Sequence, residues 1–82
     1  MKTYTYTVRF ERFNEKGEEG YLVVVPALPG IVTWGWNLEE AHEMARDAIK
    51  CHIEGLLKDR EPPPPDIGGE DGVFVERLPV AV

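Results

Sequence analysis

Three side chains of this sequence are suited to holding a borderline metal such as zinc: His42, Cys51 and His52. Zinc takes Cys, His and carboxylate ligands, and a helix supplies them best as two His at i and i+4, as in His-Glu-x-x-His. Glu43 does follow His42, but Arg46 stands where the second His is needed, and the two His are ten residues apart. No metal site is expected. Two-metal cleavage of a nucleic acid needs carboxylates converging from several elements. The acids on offer are Glu11, flanked by Arg9 and Arg12, and Glu39, Glu40 and Glu43 in a later segment. Those three are read as helix-start acids that complement the helix dipole. No Ser-His-Asp arrangement, Cys-His pair or Gly-rich phosphate loop is visible, so the sequence assigns no catalytic residue and no cofactor.

The chemistry that remains is that of binding. The chain has 15 acidic and 9 basic residues and a formal net charge of −6. A nucleic-acid-binding domain normally carries a basic patch to neutralise phosphates, and none is seen. The balance suits a basic protein partner. Val32, Trp34 and Trp36 share one face by the period of two of a strand. Aromatic anchors dominate interface hot spots, so these three are read as a partner or self-association surface, joined by the acids Glu39, Glu43 and Asp47. Pro26, Leu28, Pro29 and Gly30 are read as a rigid turn, with Gly30 supplying a backbone angle that other residues avoid.

The elements that must position these residues follow from periodicity. Residues 3–13 alternate, with Tyr4, Tyr6, Val8 and Phe10 on one face, and read as a half-buried strand. Residues 14–20 are charged, hold two glycines and read as the loop of a hairpin, somewhat longer than a tight turn. Residues 21–25 form a second strand that pairing must leave at Pro26, and residues 31–36 a third, antiparallel to it. Asn37 caps a helix, with Glu40 reaching back. Ala41, Met44, Ala45, Ala48, Ile49, His52, Ile53 and Leu56 make its apolar stripe. Four prolines at 62–65 form a stiff spacer, residues 68–72 an acidic loop, and residues 73–78 a fourth strand ended by Pro79. The fold class is therefore α+β: an antiparallel sheet in β-β-β-α-β order with one long helix packed on one face, residues 1–82 making a single domain. The other face of the sheet has nothing in the chain to cover it. A domain this small exposes roughly 40% of its unfolded surface even when folded, and with one cysteine it has no internal disulfide. Oligomerisation is the expected compensation.

The stretch from Gly20 to Ile49 resembles the HicB antitoxin family. The carrying residues are Gly20-Tyr21, Pro26, Leu28-Pro29-Gly30, Thr33, Gly35, Leu38-Glu39-Glu40-Ala41 and Ala48-Ile49. The resemblance implies a reduced, catalytically inert RNase H-like domain that binds and neutralises a small basic HicA toxin, itself a messenger-RNA nuclease. Many members add a C-terminal DNA-binding module. These 82 residues show no helix-turn-helix or ribbon-helix-helix pattern, so direct nucleic-acid binding is not expected. Trp34 and Trp36 stand where the family usually has polar residues, and Ile31 where a small residue or cysteine is common.

The reading is thus a HicB-like antitoxin, not an enzyme, partnered by a HicA-type toxin and forming a homo-oligomer. With no apolar signal segment at the start and no membrane span, it is placed in the cytoplasm. Two alternatives make different demands. An orphan self-assembling domain would oligomerise through strand edges or the Trp34 and Trp36 face. A metal-dependent RNase H-like nuclease would depend on Glu11 or Glu43.

Overall fold

A computed structural model describes residues 2–68 and 74–82. The alternating Thr, Tyr, Val and Phe of the N-terminal segment form β1, Thr3–Glu15. It is followed by β2 (Glu18–Val24), β3 (Thr33–Gly35), α1 (Leu38–Lys58) and β4 (Val75–Ala81). The sheet order is β3-β2-β1-β4, with every neighbouring pair antiparallel. β1 is the axis: its first half, up to Arg9, pairs with β4, and its second half, from Arg9, pairs with β2.

One face of this sheet and one stripe of α1 make the core. Tyr6, Val8 and Phe10 of β1, Val23 of β2, and Leu78 and Val80 of β4 are buried against Ala41, Ala45, Ile49 and Ile53 of α1. Those four helix residues recur every four positions, the spacing of one helix face. Met44 was placed on that stripe but is 40% exposed. It sits at the stripe's margin, where the sheet does not reach. Small residues let the helix approach closely. A Cβ built on Gly35 would lie 2.4 Å from the backbone N of Ala41.

The helix ends are chemically complete. The Asn37 side chain accepts from the Glu40 N–H at 2.8 Å, and Glu40 Oε1 accepts from the Trp36 N–H at 2.9 Å. At the other end Arg60 N–H donates to Leu57 O and Glu61 N–H to Leu56 O, the two bonds of a Schellman motif. That motif needs a left-handed residue, and here it is Arg60, with φ 59°.

Several sequence expectations are corrected. The loop expected over 14–20 is instead strand on both sides of a two-residue turn, with Glu15 opposite Glu18. Lys16 (φ 52°) and Gly17 (φ 83°) are both left-handed, the conformation of a type I′ hairpin turn that matches strand twist. The third strand spans three residues rather than six. Pro79 does not end β4. The flanking pairs Lys2–Val82 and Phe10–Phe74 are hydrogen-bonded, and alternation puts Thr5↔Pro79 at a non-bonded position. The missing N–H of Pro79 therefore faces the open edge and costs the sheet no bond. Residues 26–30 make two successive turns, Leu28 N–H to Val25 O and Ile31 N–H to Leu28 O, with Leu28 plugged into the core. Gly30 does not adopt a left-handed angle there, and an added Cβ would meet only His52 Cε1, at 3.5 Å.

The second face of the sheet is also not wholly bare. The proline run leads back along the side of β1 that β2 leaves free, where Tyr6, from the helix face, donates its Oη to Pro64 O at 2.7 Å. Asp66 then takes the Thr7 N–H at 2.8 Å and the Thr7 hydroxyl at 2.7 Å, with Arg77 Nε 3.9 Å from its carboxylate. β2 has ended by this point along β1, and Asp66 satisfies the amide that β2 leaves open. Thr7 is buried as a result. The expected acidic loop and the start of the fourth strand, at 69–73, lie outside the described residues.

Candidate protein-binding surface

Strand alternation sorts the remaining side chains. On the face away from α1 lie Arg9, Glu11, Phe13 and Glu15 of β1, Glu18, Gly20, Leu22 and Val24 of β2, and Trp34 of β3. Trp34 lies opposite Leu22, and Phe13 lies opposite Gly20. A Cβ at Gly20 would sit 2.7 Å from Phe13 Cζ and 2.8 Å from Gly35 O, so the glycine gives Phe13 the space it occupies. The Phe13 and Trp34 rings meet edge to face at 6.1 Å, and Trp34 and Trp36 do so at 4.5 Å and 89°. These are preferred aromatic geometries, and they fix the rings before any partner arrives. The backbone of Trp36 is held in turn by Glu40.

The result is an apolar patch of Phe13, Leu22, Trp34 and Trp36, with Val32 exposed two residues before Trp34. Val32 is 86% exposed, Trp36 52%, Trp34 41% and Leu22 39%, with Phe13 half-buried beside them. Clusters of this kind mark interaction sites more often than isolated exposed residues do. Sequence reading named Val32, Trp34 and Trp36 but missed Phe13 and Leu22. The signal for Phe13 was a lone aromatic on the otherwise polar face of its strand. Leu22 was hidden in a run that is apolar on both faces.

Glu39, Glu43 and Asp47 are exposed on α1, on the opposite side of the sheet from the tryptophans. The structure does not bring the two predicted groups together. Glu11 and Glu43 are separated in the same way, and Glu11 Oε2 lies 3.7 Å from Arg9 Nε. Among the described residues no three His, Cys, Asp or Glu side chains are placed to hold a metal. His42 is committed elsewhere: Nδ1 lies 2.8 Å from Leu38 O, Nε2 lies 2.6 Å from Glu76 Oε2, and its ring tilts against Phe10 at 4.5 Å. Both ring nitrogens face acceptors, which favours the imidazolium. The hydrogen bond to Glu76 raises the His42 pKa above 6.5, against burial and Arg46, which lower it. No described helix is long and apolar enough to cross a membrane.

Residues 6–68 match the family described as HicB-like antitoxin of bacterial toxin-antitoxin system. The chain belongs to this family. Among HicB-like relatives, Antitoxin HicB 2 of Photorhabdus laumondii is 38% identical over 76 residues, 92% of this chain and 50% of that protein. A 14.9 kDa protein from the rep-hol intergenic region of Haemophilus phage HP1 is 49% identical over 47 residues, 57% of this chain and 35% of its own length. A UPF0150 protein of Thermoplasma acidophilum is 48% identical over 52 residues, 62% of this chain and 75% of its own. The chain thus spans a third to a half of the phage protein and of HicB 2. The matched span reaches from β1 through α1 to the Asp66 contact, so the HicB-like region includes the whole aromatic patch.

Proposed function

We propose that this chain is a non-catalytic antitoxin-type protein that binds and neutralises a small basic toxin of the HicA type, which cleaves messenger RNA. One observation carries the reading: a pre-ordered aromatic patch lies uncovered on the sheet face of a HicB-like antitoxin domain whose net charge is −6. An acidic surface steers a basic partner into encounter, and buried aromatic anchors then hold it. Val32, Trp34, Trp36, Glu39, Glu43 and Asp47 are proposed contact or encounter residues. Residues 1–82 act as one domain of reduced RNase H-like type, in the cytoplasm, without contacting nucleic acid directly.

A homo-oligomer is the second reading, favoured by the exposure of Val32 and Trp36, because self-association would bury the same rings. A nuclease reading gains nothing from the positions of Glu11 and Glu43 on opposite sides of the sheet. The test is co-expression with a HicA-type toxin in a bacterial host. Growth is expected to be restored, and the two proteins are expected to purify together in fixed stoichiometry. Undiminished toxicity with no recovered complex refutes the proposal.

A further inference from the structure

The hairpin formed by β1 and β2 extends past its neighbours. β3 pairs only with Tyr21–Val23 of β2, and the last described hydrogen bond from β1 on the β4 side is Phe10 N–H to Phe74 O. Among the described residues, 12–20 therefore form a two-stranded arm with no third strand paired to either edge. Phe13 and Gly20, at its root, lock it to Trp34, so arm and patch make one surface.

The charges on this surface are uneven. Along β1 the face reads Glu11, Phe13, Glu15, and along β2 it reads Glu18, Gly20, Leu22. Phe13 is thus flanked by Glu11 and Glu15 about 7 Å away along β1, and Glu18 lies about 14 Å from Leu22 along β2. Glu15 and Glu18 are direct cross-strand partners, and like charges directly opposite destabilise a sheet. Neither has an ion-pair partner among the described residues. Glu19, on the other face, is different: Asn14 Nδ2 donates to it at 3.1 Å and Arg12 lies 3.9 Å away. Glu15 and Glu18 are thus a like-charged pair at one border of the aromatic patch, while Glu11 at its other border lies against Arg9.

We infer that the arm and the Phe13, Leu22, Trp34 and Trp36 patch together are the docking surface for the basic toxin, whose seated segment presents an apolar side chain flanked by Lys or Arg. Of the residues proposed above, the helix acids Glu39, Glu43 and Asp47 act in the encounter and not in the seated contact. This inference rests on the antitoxin reading. Charge complementarity decides the occupant. A second copy packed face to face would add its own Glu11, Glu15 and Glu18 to the same desolvated rim, where Arg9 already lies against Glu11. Like charges brought together in this way oppose association. Basic side chains in the same place relieve the Glu15 and Glu18 repulsion.

Trp34 and Trp36 are the only tryptophans of the chain, so 5-fluorotryptophan labelling puts one fluorine probe on each ring. The labelled protein is titrated with an unlabelled HicA-type toxin, while binding heat is measured in parallel. Both fluorine resonances are expected to shift with the heat. Changing Glu15→Lys and Glu18→Lys together, at the exposed tip where folding is not at risk, is expected to weaken binding by roughly tenfold or more, an effect that shrinks in high salt. Changing Glu39→Lys, Glu43→Lys and Asp47→Lys together is expected to alter affinity far less. Binding with unmoved resonances, or binding lost only in the helix variant, overturns this surface while leaving the antitoxin reading intact. No binding heat overturns both. Concentration-dependent shifts with a doubled mass and no toxin present make the occupant a second copy, and overturn the inference.

Discussion

Gly35→Ala tests the closest contact in the fold. An alanine Cβ there would lie 2.4 Å from Ala41 N and 2.8 Å from both Ala41 Cα and Glu40 C. Ordinary contacts to carbon begin near 3.5 Å, so the start of α1 must retreat by about 1 Å. The atoms met are backbone, and no rotamer change can clear them. Overpacking costs about 1–3 kcal/mol. The upper end applies here, because a helix that retreats also loosens Ala41 and Ala45, both fully buried. For a domain of this size a loss of about 3 kcal/mol lowers Tm by roughly 12–24 °C. Gly30→Ala is the control. Its Cβ meets only His52 Cε1, at an ordinary 3.5 Å, and the stiffer unfolded chain is expected to raise stability by up to about 1 kcal/mol. Urea and thermal unfolding of both variants, followed by circular dichroism, give the two values. A Gly35→Ala loss below about 1 kcal/mol would refute the close-packing argument.

Arg60→Gly relieves a left-handed residue at the end of α1 and is expected to add about 0.5–1 kcal/mol, as the strain removed slightly exceeds the entropy added to the unfolded chain; a loss in denaturant unfolding would contradict this. Asp66→Ala strips two hydrogen bonds from buried Thr7 and is expected to cost about 2–3 kcal/mol, with Asp66→Asn losing less; amide exchange at Thr7 should accelerate in parallel. The His42 pKa is raised in the folded state by its bond to Glu76. The protonated form therefore stabilises the fold fully below pH 6.5, and that contribution is lost as pH rises through the folded value. An NMR titration should place His42 above 6.5, and Glu76→Gln should lower it and flatten the pH dependence of unfolding.

The sequence made legible what has a buried face. Tyr6, Val8 and Phe10 announce their strand because one side meets α1, and the Asn37 cap with its acids announces the helix. The hairpin is legible but its length is not, because residues 14–19 are charged and exposed on both sides. A hydrophobic pattern that does not exist there carries no register, and Lys-Gly is a weaker turn signal than Asn-Gly. The prolines at 62–65 read locally as a spacer. Their docking depends on Tyr6 and Thr7, 58 and 59 residues away from Pro64 and Asp66, and nothing local encodes that. Pro79 reads as a strand terminator, whereas its tolerance depends on which way its nitrogen faces, a matter of register with β1. The aromatic surface was half legible: Trp34 and Trp36 stand out by type, but Phe13 joins them only once the pairing with Gly20 is known.

The division of β1 into two differently supported halves has a consequence for motion. The amides of Tyr4, Tyr6, Val8 and Phe10 face β4 and that of Thr7 is held by Asp66, on a segment whose other side packs on α1, so they are expected to exchange with solvent only when much of the molecule opens. Among the described residues, amides from Arg12 to Gly20 are held by one neighbouring strand, which makes the arm a cooperative unit of lower opening free energy. The hinge between the two regimes falls at Arg9, where pairing passes from β4 to β2. Such an arm can change its twist to suit an incoming surface while the packed half of the same strand stays in place, so shape adaptation and structural rigidity are carried by a single continuous strand.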